Sequence, residues 1–299
     1  MTADEPPLWR SLLYVPVTSE RFVAGAGRRG ADAVILDLED SIPPDRKAAA
    51  RAALPGAVDA LAGCGSDIVV RVNAELRHLA ADIEAAVRPG VDALCLPKVR
   101  SADHVRLIAE LVDALERERE LPAGRISFIV LIETLDALGA AGAIAAAHAR
   151  VAALSLGDED FATDAGIAAC EATLAGPKQA VVFAAHRHRR LALGTLDTIA
   201  DFGDVDGYAA LAARSRRFGF DGAPCIHPTQ VAPLNAAFTP SADEAAEADA
   251  VLAAFAAAAR EGRGAVAAGG RMIDAPAVVR ARAVQDRLRR IGRKADAPR

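Results

Sequence analysis

Acidic side chains follow three short apolar runs of the sequence. Glu39 comes just after AVILD, Glu133 comes directly after SFIVLI, and Asp160 lies in the segment GDED that follows VAALSL. Carboxylate oxygens from separate segments are ligands that hard cations such as Mg2+ and Mn2+ prefer. We therefore take Glu133 and Asp160 as candidate metal ligands, with Mg2+ as the expected ion and Mn2+ as the alternative. Glu39 is a candidate for orienting metal-bound water or, alternatively, for capping the next helix.

Two basic side chains accompany other apolar runs. Arg71 lies in IVVRV, and Lys98 follows DALCLP. The planar guanidinium of Arg71 suits a substrate carboxylate or a developing enolate. From the residues alone, an equally good interpretation is that Arg71 and Lys98 only form ion pairs with Glu133 and Asp160.

Eight apolar runs carry or precede these polar residues, and each is nearly continuous, as in strands that are buried on both faces of a parallel sheet. The runs are Ser11–Val15, Ala33–Asp37, Ile68–Val72, Asp92–Leu96, Ser127–Ile132, Val151–Leu156, Leu191–Ile199 and Gly222–Ile226. Alanine-rich stretches between the runs favour helices. Examples are Asp45–Leu61, Ala102–Glu120, Leu135–His148 and Val205–Phe218.

A strand–helix unit that recurs eight times predicts an α/β fold of the (β/α)8 TIM-barrel type. The alternative is an open, doubly wound sheet, but no G-x-G-x-x-G segment follows the first strand, which disfavours its dinucleotide-binding form. Chemistry in a barrel takes place at the carboxyl ends of the strands. We therefore expect the acidic and basic side chains named above to meet at one rim.

The strand–helix alternation stops before the end of the chain. We expect a barrel domain over residues 8–238 and a small helical extension over residues 239–299. Within the extension, the sequence predicts a helix over Asp243–Arg260, a glycine-rich, turn-like segment over Glu261–Gly270, and a second helix over Pro276–Ile291. A piece of this size is too small for a core of its own, so it should pack on the barrel or on another subunit.

Composition excludes several classes of protein. The 299 residues carry a net charge of −5, which disfavours nucleic acid as a partner. No apolar run is long enough for a membrane span, and the first residues lack the pattern of a signal peptide. The spacing of the 4 cysteines matches no metal motif, and reduced thiols fit a cytoplasmic protein.

A series of motifs occurs in order along the chain and resembles one family. The motifs are RSLLYVPVTSERF, GADAVILDLEDSI, RKAAAR, VRVN, LPKV, LIETLDAL, LSLGDEDFATDAGI, GFDGAPCIHPTQV and GGRMIDAP. They resemble the citrate lyase beta-subunit-like (CitE-like) family of the HpcH/HpaI aldolase superfamily. The resemblance implies a TIM barrel with a helical C-terminal extension that assembles as homotrimers or hexamers. It also implies Mg2+-dependent cleavage or formation of a carbon–carbon bond in an acyl-CoA.

The resemblance also implies roles for individual residues. The glutamate of IET and the aspartate at the end of GDED are the metal ligands, and Glu39 lies near the metal-bound waters. The arginine of VRVN binds the oxo acid or the enolate. The aspartate of MID, Asp274, is the acid/base, and a C-terminal lid carries it into the active site of a neighbouring subunit. Without the resemblance, the sequence around Asp274 would indicate a helix N-cap. The resemblance thus implies that Glu133 and Asp160 bind the metal and that Arg71, Asp274 and Glu39 are catalytic. It implies that the substrate is bound by Arg71, Lys98 and Arg10.

The predicted activity is that of a CoA ester lyase, a carbon–carbon lyase of the oxo-acid-lyase type. It would cleave a malyl-, citramalyl- or citryl-CoA-like 3-hydroxyacyl-CoA reversibly to acetyl- or acyl-CoA and a 2-oxo acid. The segments Ala24–Ala26 and Ala175–Gln179 depart from the usual family pattern in regions that bear on CoA binding. Two alternatives therefore stay open, namely a pyruvate-class aldolase that does not use CoA and an accessory citrate lyase beta subunit.

Overall fold

The computed structural model describes residues 6–198, 203–260, 262, 265–268 and 271–296. Most of the strands lie close to the runs that the sequence predicts. The strands of the main sheet are β1 Ser11–Pro16, β2 Ala33–Asp37, β3 Asp67–Arg71, β4 Ala93–Leu96, β5 Ser127–Ile132, β6 Val151–Leu156, β7 Leu191–Leu193 and β8 Ala223–Cys225.

The 8-stranded sheet is parallel throughout and runs in the order β7-β6-β5-β4-β3-β2-β1-β8. A parallel bridge between Leu193 and Gly222 joins its two ends, so the sheet closes into the predicted barrel. The closure needs glycine at position 222, because a Cβ there would lie 1.7 Å from the carbonyl oxygen of Trp9. The barrel is the TIM-like fold that the sequence predicts.

Successive side chains of each strand pack into two different hydrophobic cores, one inside the barrel and one between the barrel and the helices. On β2, Ala33 and Ile35 point into the barrel, whereas Val34 and Leu36 pack under the surrounding helices. On β5, Ile129 points inward in the same way. Since successive side chains of a strand point to opposite faces, the inward set continues at every second residue toward the carboxyl end.

Helices cover the outside of the barrel. They are α1 Glu20–Ala26, α2 Lys47–Ala60, α3 Leu76–Ala86, α4 Ala102–Glu118, α5 Leu135–Gly139, α6 Ala141–Ala146, α7 Asp158–Ala165, α8 Glu171–Arg187, α9 Val205–Phe218 and α10 Val231–Ala237. A 3-10 turn, Pro44–Arg46, precedes α2. Across the described residues, no helix is both long and apolar enough to cross a membrane.

Two predicted elements differ from the structure. The single helix predicted over Leu135–His148 is two helices, which are interrupted at Ala140, next to the poor helix former Gly139. The seventh strand ends at Leu193, directly before Gly194, which adopts φ of +155°. The predicted end of that strand, Ile199, lies outside the described residues.

The chain divides into two compact units between Phe238 and Thr239. The second unit contains α11 Ala242–Arg260 and α12 Ala275–Asp296, which are joined where Gln285 Nε2 donates to Asp249 Oδ1 at 2.8 Å. The turn-like segment expected over Glu261–Gly270 is partly wrong. Its residues Val266–Ala268 form β9, which pairs antiparallel with β10, Arg271–Ile273. Val266 and Ile273, which pair with each other at one end of this ladder, are β-branched residues that favour extended backbone.

Candidate active site

On three strands, the row of side chains that point into the barrel ends in a charged residue at the rim. Asp37 follows Ile35 by two positions, Arg71 follows Val69, and Glu133 follows Leu131. The side chains of these three residues therefore point into the barrel and meet at the carboxyl end of its strands. This position is the one that TIM barrels use for catalysis.

Arg71 is held on two sides. Its Nε and Nη2 donate to Asp37 Oδ1 and Oδ2, both at 2.7 Å, and its guanidinium carbon lies 4.8 Å from the centre of the Tyr14 ring. The remaining nitrogen, Nη1, lies 3.0 Å from Glu39 Oε2 and donates to Asp40 Oδ2 at 3.1 Å. Burial opposes charge on Arg71, but its bonds to Asp37 outweigh burial and raise the pKa of the guanidinium. A permanent cation is thereby fixed at the rim.

Glu133 is buried and held by backbone. Its Oε2 accepts from the amide of Lys98 at 2.5 Å. Lys98 adopts φ of +50°, a conformation that few residues other than glycine take up and that is common at functional sites. On the other side, a Cβ at Gly157 would lie 2.5 Å from Glu133 Cγ and Oε1. The absence of a side chain at position 157 therefore provides the space for the Glu133 carboxylate.

Lys98 also brings the remaining acids together. Its Nζ lies 3.6 Å from Glu39 Oε1 and 3.8 Å from Asp160 Oδ1. Asp160 stands in the first turn of α7, directly beyond β6, and its side chain is 46% exposed. The structure thus gathers Glu39, Arg71, Lys98, Glu133 and Asp160, five of the seven residues that the sequence singles out.

Burial makes two acids of this cluster, Glu133 and Glu39, harder to ionise. Burial, together with the like charges of Glu39 and Asp160, raises the pKa of Glu133 to about 7. Burial also raises the pKa of Glu39 to about 7, although the positive charge of Arg71 favours its ionised form. Additional positive charge at the cluster would favour the ionised forms of Glu39 and Glu133.

The donor set fits a divalent cation. Glu133 and Asp160 offer oxygen ligands from two strand ends, and Mg2+ usually takes one or two carboxylates and completes its shell with water and substrate. Within the described ranges, no three His, Cys, Asp or Glu side chains group closely enough to hold a metal without such additional ligands. Glu39 Oε2 is buried and lies 3.0 Å from Arg71 Nη1, but it accepts no hydrogen bond, so it can still accept one from a bound water.

A cavity of about 570 Å³ opens beside the cluster. Arg71, Glu133 and Asp160 line one part of it, and Phe220 and Ile226 line an apolar part near β8. A cavity that combines a few converging charges with an apolar wall is typical of a site for a small molecule.

Arg10 is the predicted barrel residue that is not brought to this cluster. Arg10 precedes β1, at the amino end of the barrel, where its Nε and Nη2 both donate to Asp32 at 2.8 Å. It thus faces the end of the barrel opposite the cavity, and the structure does not support it as a substrate-binding residue. Asp274 belongs to the second unit, where its Oδ1 accepts from the amide of Ala277 at 3.2 Å and caps α12.

Asp37 and Lys178 line the cavity but are not among the residues predicted for the site. Asp37 ends a strand, and the period-two pattern from Ile35 would have found it. Lys178 lies inside α8 but lines the cavity, where its Nζ donates to Asp158 Oδ2 at 2.9 Å. It lies within the segment Ala175–Gln179, which the sequence marks as a departure from the family pattern, but neither its neighbours nor their spacing indicates a buried lysine.

Comparison with known proteins agrees with this geometry. Residues 10–228 match the family model "HpcH/HpaI aldolase/citrate lyase". The chain belongs to the HpcH/HpaI aldolase/citrate lyase family. The resemblance seen in the sequence motifs is thereby confirmed.

Several relatives of this HpcH/HpaI family chain match it over nearly their whole length. An L-malyl-CoA/beta-methylmalyl-CoA lyase from Cereibacter sphaeroides is 34% identical over 90% of each chain. A citrate lyase subunit beta from Leuconostoc mesenteroides subsp. cremoris is 31% identical over 93% of this chain and 92% of its own. A crystal structure of CitE from Mycobacterium tuberculosis in complex with magnesium, acetoacetate and coenzyme A is 31% identical. It matches with a TM-score of 0.72 over 96% of this chain and 99% of its own.

Proposed function

We propose that this protein is a Mg2+-dependent carbon–carbon lyase that acts on CoA esters. It cleaves a 3-hydroxyacyl-CoA reversibly to an acyl-CoA and a 2-oxo acid. The observation that carries the proposal is the arrangement around Glu133, a buried carboxylate that receives the Lys98 amide and faces the like charges of Glu39 and Asp160. The malyl-CoA lyase relative and the magnesium and coenzyme A in the CitE crystal structure support the same assignment.

Glu133 and Asp160 are the proposed metal ligands, and Glu39 orients water beside them. A bound divalent cation supplies Lewis-acid polarisation of the oxygens at the hydroxy-carboxylate end of the substrate. Lys98 binds that end as well, because its ammonium lies between the carboxylates of Glu39 and Asp160. The chain thereby orients the carbon–carbon bond that breaks.

Arg71 stabilises the negative charge that develops as this bond breaks. The bonding electrons pass to the acyl-CoA fragment as an enolate, the hydroxyl carbon becomes the carbonyl of the 2-oxo acid, and the hydroxyl proton passes to water in the cavity. A guanidinium that Asp37 and Tyr14 hold in place requires little reorganisation to face the new charge. Arg71 is thus the electrostatic catalyst of the proposed step.

Asp274 is the proposed acid that returns a proton to the enolate carbon, and in the synthetic direction it removes that proton. The family resemblance implies a C-terminal lid that carries this aspartate to a neighbouring subunit. The corresponding assembly is a homotrimer or hexamer, and the proposed location is the cytoplasm. The boundary at Thr239 and the Asp274 carboxylate at the start of α12 support a separately packed lid.

The test is a substrate panel. Purified chain is incubated with malyl-, citramalyl-, citryl- and methylmalyl-CoA, each with Mg2+ and with a chelator, and free 2-oxo acid and acyl-CoA are measured. We expect one or more thioesters to be cleaved only with Mg2+. Condensation of aldehyde and pyruvate without any CoA ester cleavage would favour the aldolase alternative. Cleavage only after addition of other citrate lyase subunits would favour the accessory-subunit alternative.

A further inference from the structure

We propose that Lys178 is a positioning residue for Asp160 and therefore for the metal. This inference rests on the proposed function, because it concerns the same divalent-cation site. Lys178 touches neither the proposed ligands nor the reacting atoms; it acts through Asp158, two residues before Asp160.

Lys178 is a buried cation with two fixed partners. Its side chain is 1% exposed, and its Nζ donates to Asp158 Oδ2 at 2.9 Å and to the carbonyl oxygen of Leu196 at 3.2 Å. Burying an ammonium is costly unless it is paired and hydrogen-bonded. These two bonds therefore tie α8 to the first residue of α7 and to the segment that follows β7.

Asp160 depends on its backbone for its position. Its one ion pair among the described residues is with Lys98 at 3.8 Å, and its side chain is half-exposed. Glu133, in contrast, is buried, bonded to the Lys98 amide and packed against Gly157. The place of the Asp160 carboxylate is consequently set by the first turn of α7.

Asp158 opens that turn. It is the first residue of α7, follows Gly157 and shares its helical turn with Asp160. The Lys178–Asp158 ion pair thus fixes the end of the helix that presents the proposed ligand. Removing a residue that orients a metal ligand without touching the metal typically lowers metal affinity by about 10–100-fold.

A second buried cation provides a matched control. The Arg150 side chain is 2% exposed and pairs with Glu116 and Asp113, directly before β6 and hence at the opposite end of the barrel. Replacing Arg150 with methionine removes a buried cation, as Lys178→Met does, but leaves the first turn of α7 intact. The two variants therefore separate a general loss of stability from a specific loss of metal affinity.

The experiment titrates Mn2+ into metal-free full-length protein and follows free Mn2+ by electron paramagnetic resonance, so it does not depend on activity. We expect Lys178→Met to raise the Mn2+ dissociation constant by about 10–100-fold. The double variant Lys178→Met/Asp158→Asn should do the same, because it also lacks the ion pair yet leaves no buried, unpaired carboxylate. Lys178→Arg, which keeps the charge, should retain most of the affinity. Arg150→Met should lower the melting temperature with the dissociation constant unchanged.

Wild-type affinity in the double variant would overturn the inference, and this outcome stands even if Lys178→Met alone fails to fold. An equal rise in the dissociation constant for Arg150→Met would also overturn it, because the loss would then follow from instability. If the wild-type protein itself binds no Mn2+, the proposed metal site fails and the inference fails with it. Binding by wild type with unchanged affinity in the variants contradicts the role of Lys178 alone.

Discussion

Asp37 and Arg71 are register partners on β2 and β3, and their side chains form two hydrogen bonds of 2.7 Å each at the mouth of the barrel. Burial alone would raise the pKa of Asp37, but the hydrogen bonds and charge of Arg71 outweigh burial and lower it. A paired carboxylate and guanidinium of this kind form a rigid unit. The fixed direction of Arg71 therefore follows from strand pairing.

Replacing Arg71 with lysine should abolish most of the activity. An ammonium cannot make the paired contact with Asp37, so its charge is no longer fixed toward the cavity. We expect kcat for carbon–carbon cleavage to fall about 10²–10³-fold, the usual loss for one stabilising donor. Arg125→Lys is the control, because Arg125 pairs with Asp92 at the protein surface. A kcat for Arg71→Lys equal to that of Arg125→Lys would contradict the role of Arg71.

Gly157→Ala should displace Glu133 without unfolding the protein. The new Cβ would lie 2.5 Å from Glu133 Cγ and Oε1, so the Glu133 side chain would have to shift, whereas the backbone at Gly157 has an ordinary φ of −88°. We expect the Mg2+ concentration for half-maximal activity to rise, with little change in melting temperature. Gly56→Ala, in α2 with no atom within 4 Å of the added Cβ, is the control. An unchanged Mg2+ requirement in Gly157→Ala would mean that Glu133 does not bind the metal.

The raised pKa of Glu133 makes the stability of the metal-free protein depend on pH. The group titrates near 4.5 when exposed and near 7 when folded, so across this interval the folded state binds more protons. The free energy of unfolding should therefore fall as pH rises from about 4.5 to 7. Melting curves with a chelator should show this fall, and Glu133→Gln should reduce it. Identical slopes for the wild-type protein and Glu133→Gln would contradict the assigned pKa shift.

Asp274→Asn separates helix capping from proton transfer. Asparagine caps a helix about as well as aspartate, so the melting temperature should stay within a few degrees of the wild-type value. It cannot supply a proton as a carboxylic acid does, so cleavage should slow by about 10²–10⁴-fold. Exchange of solvent deuterium into acetyl-CoA would measure the same step without the 2-oxo acid. Full activity in Asp274→Asn would restrict Asp274 to its capping role.

The barrel was predictable because its strands are apolar and its helices rich in alanine. The cluster around Glu133 was also predictable, because charged residues lie at or just after the ends of the apolar runs and all eight strands of a parallel barrel end at one rim. The register that pairs Asp37 with Arg71 was not predictable, because it depends on strand alignment across a long connection. The ion pair of Lys178 was not predictable for a similar reason, because its partner Asp158 lies on a different helix.

The most direct test of the two-carboxylate metal site is calorimetric titration of Mg2+ into the metal-free wild-type protein and into Glu133→Gln and Asp160→Asn. We expect the wild-type protein to bind one ion per chain and each variant to show no saturable binding, because either substitution removes a charged ligand from a site that has only two. Binding of Mg2+ by both variants with wild-type affinity would contradict the proposal that Glu133 and Asp160 hold the ion.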